Sequence, residues 1–235
     1  MASDDLVLPG AKVILFEDKA AVAQATAEHI LASARGAIKH QGRFRLCLAG
    51  GTTPTAAYQR LARAEADWER WWIYHGDERC LPVGDLQRNS LVADQVWLDQ
   101  VPVPREQVFA IPAEQGAEAA AAAYEQVLKA ALPFDLLLLG MGEDGHTASL
   151  FPGRAVPGDR LVMPVHDSPK PPPDRVSLTP RALSRSEQLL ILVTGDGKAD
   201  AVRRWSLGEP LPIAGVAAAA RTQVLIDRAA AAALI

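Results

Sequence analysis

The run Phe-Asp-Leu-Leu-Leu-Leu-Gly at residues 134–140 constrains this chain more than any other stretch. A strand with one wet face alternates apolar and polar residues, and four consecutive leucines leave no face for water. Such a strand must be covered on both sides, as the strands of a parallel sheet are by their crossover helices. The rest of the sequence supplies that cover. Strand-like KVILF (12–16), RFRLCLAG (43–50), WWIYHGDE, VFAIP, LVMPVH, RVSLT, LLILVTG and QVLID alternate with helix-like stretches. The helices are expected at 19–39, 55–64, NSLVADQVWL, AEQGAEAAAAAYEQVLKAAL and from about Lys198, with a short one from near Gly145 to Pro152. The alternation predicts an α/β fold, a mostly parallel sheet with helices on both faces. There is no internal repeat. The Pro-rich SPKPPPD is the best candidate break, but it is short enough to read as a surface loop, so residues 1–235 read as one domain.

Composition removes several classes of function. The net charge is −4 with no long basic run, which argues against a nucleic-acid partner. No apolar stretch approaches the ~20 residues that span a bilayer. The start, MASDDLVLPG, has acidic residues where a secretory signal is basic. Cys47 and Cys80 have no metal-knuckle spacing and read as reduced thiols of a cytoplasmic protein.

Ligands of such sheets bind beyond the carboxyl ends of the strands, where loops and helix N-termini converge. Four strand ends here carry polar clusters: AGGTTP, HGDER, GMGEDGH and TGDGK. In the first, Gly50 and Gly51 admit a close ligand, Thr52 and Thr53 offer hydroxyls, and Pro54 suits a first helical turn. That gathers N–H donors at a positive helix end, suited to phosphate, although an unliganded strand-to-helix turn has the same residues. No G-x-x-x-x-G-K-[ST] occurs, which argues against nucleoside triphosphates.

Gly140-x-Gly142-x-x-Gly145 matches a dinucleotide fingerprint literally, with Asp167 about where a ribose-binding carboxylate belongs. The context is wrong. The expected helix meets Pro152-Gly153 too soon for a crossover, and Glu143 and Asp144 would repel a pyrophosphate. The stretch instead offers His146. At the first turn of a helix the dipole would keep its imidazole neutral, as a general base requires; the alternative is a histidine that only packs there.

AGGTTP, GDERCLPVGDLQRNS, LGMGEDGHTASLFPG, SPKPPPDRVSLT and TGDGK, in that order, resemble the 6-phosphogluconolactonase family over about residues 10–230. The resemblance implies a Rossmann-like fold, hydrolysis of a small phosphosugar lactone to 6-phosphogluconate, and no cofactor or metal, so that activity should survive chelators. It implies phosphate contacts at Gly50, Gly51, Thr52, Thr53, Arg175 and Lys198. For that reaction His146 reads as base to water, Asp77 or Asp144 as the residue that orients the imidazole or the water, or else as a cap or turn residue, and Arg79 as a donor to the developing oxyanion or to a substrate oxygen. Arg79 also reads as a surface partner of Glu78 or Asp85. Asn89 reads either as a sugar-hydroxyl contact or as a helix N-cap. Glucosamine-6-phosphate deaminases are similar, but they carry an aromatic where this chain has Arg79 and a ring-opening acid where it has Phe151. A sugar-sensing regulator would need a DNA-binding extension that the chain does not show. His29 and His40 read as surface residues, His166 as a residue after a strand near the Pro-rich loop and away from the substrate, His75 as core, and Trp68, Trp71 and Trp72 as a buried helix-to-strand junction. A monomer or weak homo-oligomer, with no nucleic-acid or membrane partner, is expected.

Overall fold

A computed structural model describes residues 6–235, so the acidic Asp4 and Asp5 of the first segment lie outside the described residues. Ten strands form among the described residues: β1 Ala11–Phe16, β2 Phe44–Leu48, β3 Trp71–His75, β4 Asp77–Arg79, β5 Val108–Phe109, β6 Leu136–Gly140, β7 Val162–Val165, β8 Arg175–Leu178, β9 Leu189–Val193 and β10 Thr222–Asp227. The helices are α1 Lys19–Gln41, α2 Thr52–Leu61, α3 Asn89–Ala93, α4 Ala117–Ala131, α5 Pro180–Leu183, α6 Ala199–Ser206, α7 Pro212–Ala217 and α8 Arg228–Ala231. Seven strands build one sheet in the order β1-β10-β9-β6-β2-β3-β5, every neighbouring pair parallel.

The leucine run is β6, the middle strand of the seven. Leu136 and Leu138 enter one core with Val22 and Ile30 of α1 and Tyr58 and Leu61 of α2. Leu137 and Leu139 enter the other, with Leu128 of α4, Val202 and Trp205 of α6 and Ile213 of α7. The period-two alternation thus sends successive leucines to opposite layers, which is why the run carries no polar residue. Trp68 and Trp71 are buried with ring centroids 4.7 Å apart, and Trp97 joins them at 6.0 Å from each. Trp72 departs from the expected buried junction: it points to the opposite face of β3, half-buried against the other core. Among the described residues no helix is long and apolar enough to cross a membrane.

LVMPVH and RVSLT do not join the parallel sheet. They are β7 and β8, which with β4 form a separate antiparallel sheet in the order β4-β8-β7. The connection at 166–174 is too short for the dozen or so residues of a parallel crossover, so the second strand returns beside the first. This small sheet sets Arg79 opposite Arg175 and Asp77 opposite Ser177.

Glu78 ties that sheet to α3. Its carboxylate is fully buried and accepts from the backbone N–H of Arg79 (2.9 Å), Asn89 (2.7 Å) and Ser90 (2.8 Å). It therefore caps α3 from a neighbouring strand, at the positive helix end. Buried Arg88 lies 3.8 Å away and continues to Glu114 at 2.8 Å and to the Ile111 carbonyl at 3.0 Å. Glu78→Ala leaves buried N–H groups without their acceptor and removes the carboxylate beside buried Arg88. A loss of about 3 kcal/mol is expected in urea unfolding, against a negligible change for exposed Glu28→Ala. Equal midpoints for the two variants would contradict this role.

Candidate active site

A cleft of about 230 Å³ opens beyond the carboxyl ends of β2, β3, β6 and β9. The predicted Gly50, Gly51, Thr52, Thr53, Asp77, Arg79, Asn89, His146, Arg175 and Lys198 all line it. Asp144 is not part of the lining but contacts His146, which is.

The chain leaves β6 at Gly140 in a series of turns, and the helix expected from Gly145 does not form. The Gly142 N–H donates to the His146 carbonyl at 2.8 Å, and the Leu150 N–H to that of Thr147 at 2.9 Å, while Gly145 takes φ +83° and Ala148 +48°. Backbone groups closed into such turns are not free to continue a helical ladder. Hence no helix dipole acts on His146, and its neutrality has another cause. Its ring centroid lies 4.8 Å from that of buried Phe151, and burial pulls the imidazole below its ordinary pKa despite the nearby Asp144. Asp144 Oδ1 lies 2.5 Å from Nδ1 and accepts the His146 backbone N–H at 3.1 Å. Burial alone would raise the Asp144 carboxyl, but these bonds hold it below its usual range. A carboxylate on Nδ1 assigns the proton to that nitrogen and leaves the Nε2 lone pair as acceptor.

Gly142 serves this pair rather than a ligand. A Cβ there would stand 2.0 Å from His146 Nδ1 and 2.8 Å from Asp144 Oδ1. Gly50 does the same for Asn89, whose Oδ1 would lie 2.1 Å from an added Cβ. Asn89 is the first residue of α3, not its N-cap, which is Arg88. Its amide donates instead to the Asp77 carbonyl at 3.0 Å and to Asp77 Oδ1 at 3.1 Å. Ser149, which the sequence reading passed over, donates to Asp77 Oδ2 at 2.8 Å. Burial raises the Asp77 carboxyl, with the Ser149 bond opposing. Asp77 makes no hydrogen bond to His146, so Asp144 is the group that fixes the imidazole.

Arg79 forms no ion pair with Glu78 or Asp85. Its Nη1 donates to the Gln87 carbonyl, and its Nε is buried without a partner among the described residues. Arg175 is buried, and its carbon Cζ stands 5.7 Å over the Phe151 ring. Its Nε and Nη2 are already engaged by the carbonyls of Pro172, Lys170 and Pro171. Beyond β2, α2 starts at Thr52 with Gly51 as its cap, earlier than predicted and without a side-chain cap from either threonine. Thr53 Oγ1 instead meets Thr194 Oγ1 at 2.6 Å, tying this turn to the one after β9 that carries Lys198. Burial lowers the Lys198 ammonium, with Glu143 opposing. Lys170 also lines the cleft, hidden in the sequence by a Pro-rich segment that read as surface loop. His75 is buried and pulled down to about 4 by burial, as a core residue would be. His166 is exposed between Asp174 and Glu118, outside the cleft. His40 is exposed as expected; His29 is half-buried, against Gln188.

The model of the glucosamine-6-phosphate isomerases/6-phosphogluconolactonase family matches residues 17–226. A 6-phosphogluconolactonase of Streptomyces coelicolor is 40% identical over 94% of this chain and 93% of its own length. That of Mycobacterium leprae is 37% identical over 94% and 98%. Among solved structures, a 6-phosphogluconolactonase from Thermotoga maritima superimposes with a TM-score of 0.86 at 30% identity, covering 92% of this chain and 99% of that one.

If Gly142 is glycine for clearance, Gly142→Ala displaces the imidazole while the fold persists. Nitrogen-15 spectra of the histidine rings should show the Nδ1 signal of His146 move out of its carboxylate-bound position. Gly84→Ala, where an added Cβ meets open space, should leave that signal in place. An unmoved signal in Gly142→Ala would contradict the reading.

Proposed function

The chain belongs to the glucosamine-6-phosphate isomerase/6-phosphogluconolactonase family, and from that membership we propose that it hydrolyses 6-phospho-D-glucono-1,5-lactone to 6-phospho-D-gluconate. The observation that carries this reading is the Asp144–His146 pair, closed at 2.5 Å against the Phe151 ring beside a cleft lined by glycines and cations. A neutral imidazole with Nδ1–H held by a carboxylate offers Nε2 to a water. As the water oxygen bonds to lactone C1, Nε2 takes its proton, and the carbonyl electrons move to an oxyanion. When that intermediate collapses, the C1–ring oxygen bond breaks and the imidazolium returns the proton to the departing C5 oxygen. The new carboxylic acid then ionises, so each turnover releases one proton.

Asp144 stabilises the imidazolium that forms in passing and keeps the ring in one tautomer. Arg79, with a buried Nε lacking a partner among the described residues, faces the cleft as a donor to the oxyanion. Asp77, fixed by Ser149 and Asn89, accepts from a sugar hydroxyl. The phosphate seats at the α2 N-terminus between the Gly50–Thr53 turn, Lys198 and Arg175, and its binding energy orients the ring. Phe151 argues for the lactonase within a family that also contains isomerases. A deaminase must open a hemiacetal with a proton donor, and a buried phenyl ring supplies none. We further propose that residues 1–235 act as one cytoplasmic domain, a monomer or weak homo-oligomer.

Acid release on adding freshly prepared lactone, corrected for spontaneous hydrolysis, tests this. The intact protein should turn over rapidly, and folded His146→Ala should lose at least ~10²-fold in kcat, the low end for a general base. Activity should survive chelators. Loss on chelation that added metal restores, or ammonia release from glucosamine 6-phosphate without lactone turnover, would overturn the proposal.

A further inference from the structure

Three charged side chains from three separate loops meet at the rim of the cleft. Glu143 belongs to the turn after β6, Lys198 to the turn after β9, and Lys170 to the Pro-rich segment between β7 and β8. Lys170 Nζ lies 3.9 Å from Glu143 Oε2. On its other side the Glu143 carboxylate rests over the Lys198 turn, where a Cβ added to Gly197 would stand 3.3 Å from Oε1. Both lysines line the cleft.

The backbone that presents Lys170 is firmly held. Buried Arg175 donates to three consecutive carbonyls: Lys170 at 3.0 Å, Pro171 at 2.9 Å and Pro172 at 3.2 Å. Ser168 adds its own brace, its Oγ donating to the Lys170 carbonyl at 2.8 Å and its N–H to that of Pro173 at 2.9 Å. A lysine present only for solubility needs none of this. Stability does not explain the arrangement either, because a long, exposed pair such as Lys170–Glu143 contributes little to a fold.

We propose that Lys170 is a cation of the phosphate subsite, set opposite Lys198, and that Glu143 is the counter-ion the two lysines share until a phosphate displaces it. The identity of the phosphorylated ligand rests on the lactonase reading above. A phosphate monoester near pH 7 brings close to two negative charges and three acceptor oxygens, against the single charge of Glu143. The exchange therefore favours the ligand, and an unphosphorylated lactone has nothing with which to drive it. Arg175 then has a second task, as the positioning residue that aims Lys170.

The test compares the intact protein with Lys170→Gln and Glu143→Gln. Each is titrated calorimetrically with inorganic phosphate and assayed on the 6-phosphorylated and the unphosphorylated lactone. Lys170→Gln should weaken phosphate binding and raise KM for the phosphorylated lactone about tenfold, the scale of one charge-assisted contact, with kcat within about twofold. The change should be confined to the phosphorylated substrate. Glu143→Gln should tighten phosphate binding by about two- to fivefold. Unchanged phosphate affinity in Lys170→Gln overturns the proposal. So does an equal loss with both lactones, which would place Lys170 at the reacting end, and weaker phosphate binding in Glu143→Gln removes the counter-ion role. The phosphate titration needs no turnover. An intact protein that binds phosphate through Lys170 yet hydrolyses neither lactone would count against the lactonase reading alone.

Discussion

The site depends on one buried carboxylate. Glu78 has no contact with water, and an ion so placed is tolerated only where donors surround it. Three backbone N–H groups do so here, with the Arg88 guanidinium 3.8 Å away as counter-charge. Because the same carboxylate receives Arg79 from β4 and Asn89 and Ser90 from α3, the strand and the helix cannot shift independently. Asp77, Arg79 and Asn89 are therefore delivered to the cleft as one unit. Arg88 carries the connection on to Glu114, just before α4.

On that frame, polarity and dryness are divided. Phe151 and the surrounding core remove water from His146 and hold it neutral, while Asp144 fixes which nitrogen carries the proton. Lys198 stands on the turn after β9, which Thr53 and Thr194 tie to the start of α2, while Arg175 lies over the same Phe151 ring as His146. The glycines beside the site mostly make room for side chains. Gly50 clears Asn89, and Gly142 clears the His146–Asp144 pair.

Much of this was readable in the sequence, for identifiable reasons. Four leucines in a row admit only a doubly covered strand, and parallel strands place all their carboxyl ends on one edge, so the clusters after β2, β3, β6 and β9 had to converge. Other features were not legible. His146 was expected on a helix, but turns around Gly142 and Gly145 consume the backbone groups a helix would use, so the cause of its neutrality is burial instead of a dipole. The antiparallel β4-β8-β7 sheet depends on a connection too short to cross over, which local apolar patterning does not reveal. Glu78 looked like a surface partner for Arg79, since nothing local announces that its acceptors serve a helix start eleven residues later. Lys170 was hidden for a similar reason: what aims it is Arg175, reaching back to the carbonyls of a segment that composition marks as loop.

The central claim is that a neutral, half-buried His146 takes the proton from water. Following the His146 ring by NMR from pH 4 to 8, alongside kcat/KM for the phosphorylated lactone, tests it most directly. Burial pulls the imidazolium below its ordinary pKa, so the neutral base is present above that lowered value and is lost as the pH falls through it. The account predicts that rate and ring titrate together, at a pH below that of a free imidazole, with activity on the neutral side. A rate that stays level while the ring takes up its proton would contradict it.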